Sequence, residues 1–308
     1  MATYIWSRLA VTVPVLFLVS ALVFFIMNLL PGDPATLILQ GQAASTPEQI
    51  DKLREQLNLD DPAPVRYARF LGDAVRGDLG TSVQYKRPVI DLIMERLPST
   101  IQLTAASLVV AIVVGFILGV LAAVHHNTWV DTAAMVFSVL GLTMPIFYIG
   151  LLLILVFSVN LGWFPIIGGS TLERLILPSV TLGVVSSGII ARMVRASLLE
   201  VLRQDYITTA RAKGLRYRVV LWRHAIRNTF IPIVTILGLQ VGGMLSGSVI
   251  IETVFDRPGV GRLAVEAITW KDFPLAQGTI LVTATIYVMI NLLVDISYAW
   301  FDPRIRHQ

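Results

Sequence analysis

The stretch LPSTIQLTAASLVVAIVVGFILGVLAAV, residues 97–124, runs for 28 residues without one ionisable side chain. A bilayer core needs roughly 20 apolar residues of helix at about 1.5 Å rise each, so this run is long enough to cross one. Charge-free runs recur on both sides of it, at Leu9–Leu30, over most of Thr132–Val159, at Leu175–Ala191 with Pro178 inside, at Asn228–Ile251 and at Phe273–Val294. Six membrane spans are predicted. Composition agrees: 55% of the 308 residues are hydrophobic, 14% are charged and the mean hydropathy is +0.74. A soluble chain carries about 25% charged residues. The expected fold class is an all-α membrane protein.

Between spans lie the features that orient the chain. Nine basic residues crowd the stretch between the fourth and fifth spans: Arg192, Arg195, Arg203, Arg211, Lys213, Arg216, Arg218, Arg223 and Arg227. Basic residues in short loops near span ends mark the cytoplasmic side, whereas long loops are largely exempt. The long segment 31–96 holds eight basic residues among ten acidic ones. Both termini and the basic cluster are therefore expected in the cytoplasm and segment 31–96 outside. The first apolar run is longer than the roughly 7–15 residues of a secretion-signal core and is read as a retained helix. The turn after the third span is expected at Asn160–Pro165, where Trp163 and Phe164 sit beside Gly162 and Pro165.

Expected divisions are an N-terminal helix (1–30), an extracytoplasmic segment (31–96), a five-helix core (97–301) with a cytoplasmic loop at 196–228, and a tail (302–308). Within 31–96, Thr46-Pro47-Glu48-Gln49 matches a capping box with proline at the first helical position, followed by Ile50, Leu53 and Leu57 at helical spacing. A short amphipathic helix follows from this, its apolar stripe packed on neighbouring loops or reserved for a partner.

Several chemistries are excluded. No cysteine is present, so no disulfide or thiolate site is available. The glycine-rich run Gly238–Gly243 has no lysine after it and is not a phosphate loop. His125, His126, His224 and His307 form no metal-ligand pattern, and no nucleophile–base pair is visible. Ion coupling normally uses ionisable groups at mid-membrane. Here Glu252 and Asp295 stand near span ends, where local pairing or headgroup contact is the expected explanation. Gly115 with Gly119, Gly238 with Gly242, and Gly243 with Gly247 have the small-x-x-x-small spacing of close helix contacts, within the chain or with another subunit. Asn28, Gln102, Gln240 and Asn291 line a passage or bond a neighbouring helix.

Inside the basic cluster lies Asp205-Tyr206-Ile207-Thr208-Thr209-Ala210-Arg211-Ala212-Lys213-Gly214-Leu215. Asp205 is expected to cap a helix of about two turns, and Gly214 to end it in the left-handed conformation. Val219, Trp222 and Ile226 then recur at i, i+3 and i+7 beside Arg216, Arg223 and Arg227, which predicts a second, interfacial helix. An exposed helix with a glycine stop in a membrane chain is a docking element.

Thr208-Thr209-Ala210 followed by Gly214 resembles the EAA loop of permease subunits of ATP-binding-cassette importers. Leu29-Leu30-Pro31-Gly32-Asp33-Pro34, Gly77-Asp78-Leu79-Gly80-Thr81-Ser82, Glu95-Arg96-Leu97-Pro98, Arg223-His224-Ala225-Ile226-Arg227-Asn228 and Glu252-Thr253-Val254-Phe255-Asp256-Arg257-Pro258-Gly259-Val260-Gly261 resemble the B-type permease of dipeptide and oligopeptide importers. Thr208 stands where the general EAA pattern has glutamate, and His224 and Arg227 stand where it has a hydrophobic residue and proline. The resemblance covers nearly the whole chain.

It implies a type I importer permease fold in the bacterial inner membrane and transport of di- or oligopeptides. The implied partners are a second permease, two ATP-binding subunits that carry ATP and Mg, and an extracytoplasmic substrate-binding protein, with membrane lipid around the chain and no nucleic acid. This chain would bind no cofactor and would not be an enzyme. Tyr206, Ile207, Thr208, Thr209, Ala210, Arg211, Ala212, Lys213, Gly214 and Leu215 would form the coupling helix, Ala210 and Gly214 giving close fit and Arg211 and Lys213 polar contact. Glu252, Phe255, Arg257, Pro258, Gly259 and Gly261 would form an outer loop serving as gate or binding-protein contact. Relatives carrying nickel chelates, haem or glutathione share the pattern. An ion-coupled secondary transporter and an intramembrane enzyme or scaffold are the readings from other classes.

Overall fold

A computed structural model describes residues 2–29, 47–56, 60–165 and 172–301. Its helices are α1 (Ala2–Leu29), α2 (Pro47–Gln56), α3 (Ala63–Val75), α4 (Val89–Val124), α5 (Trp129–Thr143), α6 (Ile146–Leu153), α7 (Glu173–Leu202), α8 (Asp205–Ala212), α9 (Tyr217–Val219), α10 (Ile226–Val254), α11 (Val260–Thr269) and α12 (Phe273–Phe301). Two π-helical stretches, Ile154–Asn160 and Val220–Ala225, continue α6 and join α9 to α10. Residues 1–100 with 258–292 form one compact unit, and residues 101–257 with 293–308 form another.

The first unit is closed by a polar clasp above an apolar core. Leu79, Val89, Ile93, Val260, Leu263 and Leu275 are buried together. The Asp272 carboxylate accepts hydrogen bonds from Ser82 Oγ (2.5 Å), Gln84 N (3.0 Å) and Leu275 N (3.2 Å), which caps α12 and holds the 82–85 turn against it. Segment 31–96, read from sequence as holding one short helix, also contains α3 and the opening turns of α4. Pro47 opens α2 as expected, while Thr46, Leu57 and most of the Leu29–Pro34 motif lie outside the described residues.

In the second unit α4, α7 and α10 pack through small residues. A Cβ on Gly115 would stand 2.7 Å from Ile190 Cβ, and one on Gly119 would stand 2.6 Å from the Ala191 carbonyl oxygen. Such contacts permit only glycine, so this pair serves packing within the chain. Gly238 likewise abuts Val294 and Gly247 abuts Leu182, whereas Gly243 meets no atom within 4 Å. Gln240 Nε2 donates to the Ser186 carbonyl at 3.0 Å, bonding α10 to α7.

The predicted third span is not one helix. α5 and α6 meet at Met144-Pro145 with a bend of 107°. Proline has no N–H and pushes its predecessor out of the α region, and Met144 accordingly takes φ −74°, ψ 137°. The expected turn at 160–165 is present, with Gly162 at φ +64° and the Phe157 and Trp163 rings 5.4 Å apart. α7 runs past its expected end at Ala191 to Leu202. By length and hydropathy four helices qualify as membrane spans, or five if the bent pair is one span, with Ala10–Ile26 a shorter apolar helix. Those are the spans among the described residues, against six expected.

Candidate functional site

α8 is short, and its neighbours hold it in place. Isolated helices below about 12 residues are marginal in water, so eight residues need packing. Ile207 and Ala210 provide it: both are buried, in a cluster with Ala123 of α4, Leu198 of α7, and Val220, Leu221, Ala225 and Ile226. Asn228 Nδ2 donates to Tyr206 Oη at 2.8 Å and to the His224 carbonyl at 3.0 Å, pinning the platform to the start of α10. Tyr206, Thr208, Thr209, Arg211, Ala212, Lys213, Gly214 and Leu215 are exposed.

Two details of the expected cassette change. Asp205 is the first helical residue; the N-cap position belongs to Gln204 and has no side-chain cap bond. Asp205 still sits where an anion complements the helix dipole. Ala210, expected to fit a partner closely, faces the chain's own core. Gly214 behaves as predicted, with φ +77°. Its N–H bonds the Arg211 carbonyl at 2.9 Å while the Leu215 N–H reaches the Ala210 carbonyl at 3.4 Å, the paired bonds of a Schellman stop.

The expected interfacial helix after Gly214 is the beginning of α10's own rod. Helical structure runs without a break from Tyr217 to Val254. Val220–Ala225 is wound as π-helix, and of the predicted stripe only Ile226 is buried; it is joined by Val220, Leu221 and Ala225 in place of Val219 and Trp222. Trp222 is 60% exposed.

Sequence reasoning missed a second anchor. Arg195, counted there as a topology charge, grips Asp131 with both Nε (2.6 Å) and Nη2 (2.7 Å). Asn127, at φ +63°, donates its N–H to Asp131 at 3.1 Å, and His126 Nδ1 lies 3.1 Å from Arg195 Nη2. This joins the α4–α5 corner to α7 near the platform's supporting cluster. The available signal was a lone acid, Asp131, just before a span opposite a basic cluster.

The loop expected over Glu252–Gly261 is shorter than predicted. Glu252 lies in the last turn of α10 and is fully buried, and Gly261 lies in the first turn of α11. Only Phe255–Gly259 separates the two helices. Arg257 donates its N–H to the Glu252 carbonyl at 2.8 Å and its Nη2 to Gln102 Oε1 at 3.3 Å. Burial lowers its pKa, opposed by the charge of Glu252. Phe255 packs on Gly150, where a Cβ would stand 3.2 Å from the ring, and borders a cavity of about 200 Å³ with Ile154, Ser158, Phe164, Arg174 and Pro178. Gly259 is the N-cap position of α11, and Val260 N donates to Thr100 Oγ1 at 2.9 Å. The side chain of Asp295 lies outside those described.

Comparison with known proteins bears on this arrangement directly. Residues 115–307 match the family model of the binding-protein-dependent transport system inner membrane component, and residues 1–104 match the corresponding N-terminal family model. The chain belongs to this permease family. The permease is 44% identical over 308 residues to the glutathione transport system permease protein GsiC of Escherichia coli O6:H1, with both chains fully covered. It is 43% identical, again over both full lengths, to the proteins of that name from Escherichia coli K12 and Shigella dysenteriae serotype 1. Among solved structures, the inward-facing MetNI methionine ABC transporter aligns with a TM-score of 0.57 at 19% identity, covering 68% of this permease and 96% of that chain. An amino acid ABC transporter with histidines aligns at 0.53, with 19% identity, covering 70% and 94%. The permease thus shares the fold of ABC importer permeases and is a multi-pass inner-membrane component of a binding-protein-dependent importer.

Proposed function

We propose that this permease forms half of the translocation pathway of an ATP-driven importer of short peptides, glutathione among them. Glutathione is itself a tripeptide, and the full-length likeness to permeases named for its transport supports this substrate class. The partners are a second, non-identical permease, two ATP-binding subunits that hold ATP and Mg, and an extracytoplasmic binding protein that delivers the peptide. Both termini and the basic cluster lie in the cytoplasm.

The observation that carries the coupling role is the platform itself. α8 has an inner face buried in one cluster with α4, α7 and the foot of α10, and an exposed outer face of Thr208, Thr209, Arg211, Ala212 and Lys213, with Tyr206 at its edge bonded to Asn228. A cleft on an ATP-binding subunit would grip that face, and displacement of α8 would be delivered to three long helices at once, in a rigid-body transition between inward- and outward-facing states. The Glu252–Gly261 segment, with its buried Glu252 and Arg257, serves the outer side as gate or binding-protein contact.

The test is co-purification of the permease with its partners, reconstitution, and ATP hydrolysis measured with binding protein and either glutathione or dipeptides. Peptide-stimulated hydrolysis with vesicular accumulation is expected. Uptake driven by an ion gradient without ATP would overturn the reading, and stimulation by a non-peptide alone would overturn the substrate class.

A further inference from the structure

We propose that α3 lies in the membrane–water interface against α1, with Val65, Ala68, Gly72 and Val75 turned toward the lipid acyl boundary. The partner of this surface is the bilayer itself.

At about 100° per residue, α3 divides into three sectors. One meets α1: the Tyr67 ring lies 5.7 Å from Phe17, 5.4 Å from Phe24 and 5.7 Å from Phe25, and Phe70 lies 6.0 Å from Phe24. A second is polar, with Arg66, Arg69, Asp73 and Arg76. Arg69 Nη2 is paired with Asp61 at 2.9 Å, and the Arg66 guanidinium stands 5.8 Å from the Phe24 ring centre. The third sector is Val65, Ala68, Gly72 and Val75, apolar yet open: Val75 is 87% exposed, and a Cβ on Gly72 would meet no atom within 4 Å. A helix with one side on a vertical neighbour, one apolar side and one charged side fits the corner between a spanning helix and the bilayer surface.

Depth and continuity select lipid as the occupant. Tyr67 Oη lies 2.9 Å from Ser20 Oγ and donates to the Phe17 carbonyl at 3.2 Å, so α3 is bonded to α1 inside the charge-free Leu9–Leu30 run. While that run is in the bilayer, α3 cannot stand clear of it. On α1 itself Leu18, Leu22, Phe25 and Ile26 are exposed, and lipid that covers them is continuous with the α3 stripe. Arg69 and Arg76 border the stripe on the polar side, where basic side chains reach phosphate headgroups while their stems lie on apolar surface.

The chain has no cysteine, so single labels on it are unambiguous. The permease, purified with its partner subunits and reconstituted in liposomes, would carry a nitroxide at Ala68→Cys, Val75→Cys or Asp73→Cys. Power saturation with oxygen and with a water-soluble nickel chelate should give Ala68→Cys and Val75→Cys a severalfold higher oxygen-to-chelate accessibility ratio than Asp73→Cys. Equal access of the chelate to all three overturns the proposal, as does protection of Ala68→Cys and Val75→Cys from both agents, which would mark a protein contact. A second probe, Val75→Trp, should add brominated-lipid quenching beyond that of the parent protein, whose six tryptophans set the baseline; no increment over the parent also overturns it.

Discussion

Ile207→Ala tests the platform where its physics is simplest. The side chain is fully buried, and α8 is too short to persist unsupported, so its docking rests on Ile207, Ala210 and the Asn228–Tyr206 hydrogen bond. Truncating a buried isoleucine to alanine costs about 2–5 kcal/mol. The remaining hydrogen bond supplies about 0.5–1.5 kcal/mol and does not make up that loss. At about 1.4 kcal/mol per tenfold, the undocked state should rise by at least roughly thirtyfold. Hydrogen exchange on the reconstituted complex should show the α8 amides losing protection by that factor, and ATP-driven uptake should fall while membrane insertion holds. Ile207→Val, costing about 0.5–1.5 kcal/mol, should lie between the two. Unchanged α8 protection together with normal uptake in Ile207→Ala would refute the argument that this cluster anchors the platform.

Gly214→Val should misplace Leu215 and the chain after it, because a β-branched residue at φ +77° costs about 1–2 kcal/mol or more; uptake assays should show a loss larger than that of Gly214→Asn. Asp131→Asn should lower thermal stability by about 1.5–3 kcal/mol, since it removes charge-assisted hydrogen bonds from the partly exposed Arg195, whereas Asp131→Leu with Arg195→Met should recover much of it in a thermal-shift measurement on the complex. Gly119→Val should prevent α4 from seating on α7, where the added Cβ alone would stand 2.6 Å from both the Ala191 carbonyl oxygen and Val194 Cβ, and should be read as loss of monodisperse protein on size-exclusion chromatography.

The apolar helices were legible because hydrocarbon demands long uncharged runs, and those at 97–124, 175–191, 228–251 and 273–294 each fall inside an observed helix. The breaks were harder to read. Pro145 sits in an unbroken apolar run, and Pro178 and Pro98 sit inside intact helices, so proline alone did not say where a span would fold back. The Asp205–Leu215 cassette was read correctly as a helix with a left-handed glycine stop. Its inner and outer faces were not, because the partner residues Val220, Leu221, Ala225 and Ile226 come together only through a π-turn that hydrophobic spacing in α-helical register misassigns. α11 escaped because Gly259 and Gly261 look like loop, whereas Gly259 caps a helix and Gly261 opens it. The Asp131–Arg195 pair joins residues far apart in sequence; the lone acid before a span hinted that Asp131 has a partner, but nothing local singled out Arg195 among nine basic residues.

The π-turn at Val220–Ala225 also acts as a phase setting. Each such turn takes up one residue more than an α-turn, and one residue is about 100° of helical rotation. Everything distal to it on the same uninterrupted helix, Gln240 bonded to α7 and Glu252 buried at the far end, is indexed by that winding to the platform at its foot. Rewinding the segment to α geometry would turn the upper helix like a key against its neighbours, so the angular register of the far end of α10 is written beside α8 at its foot.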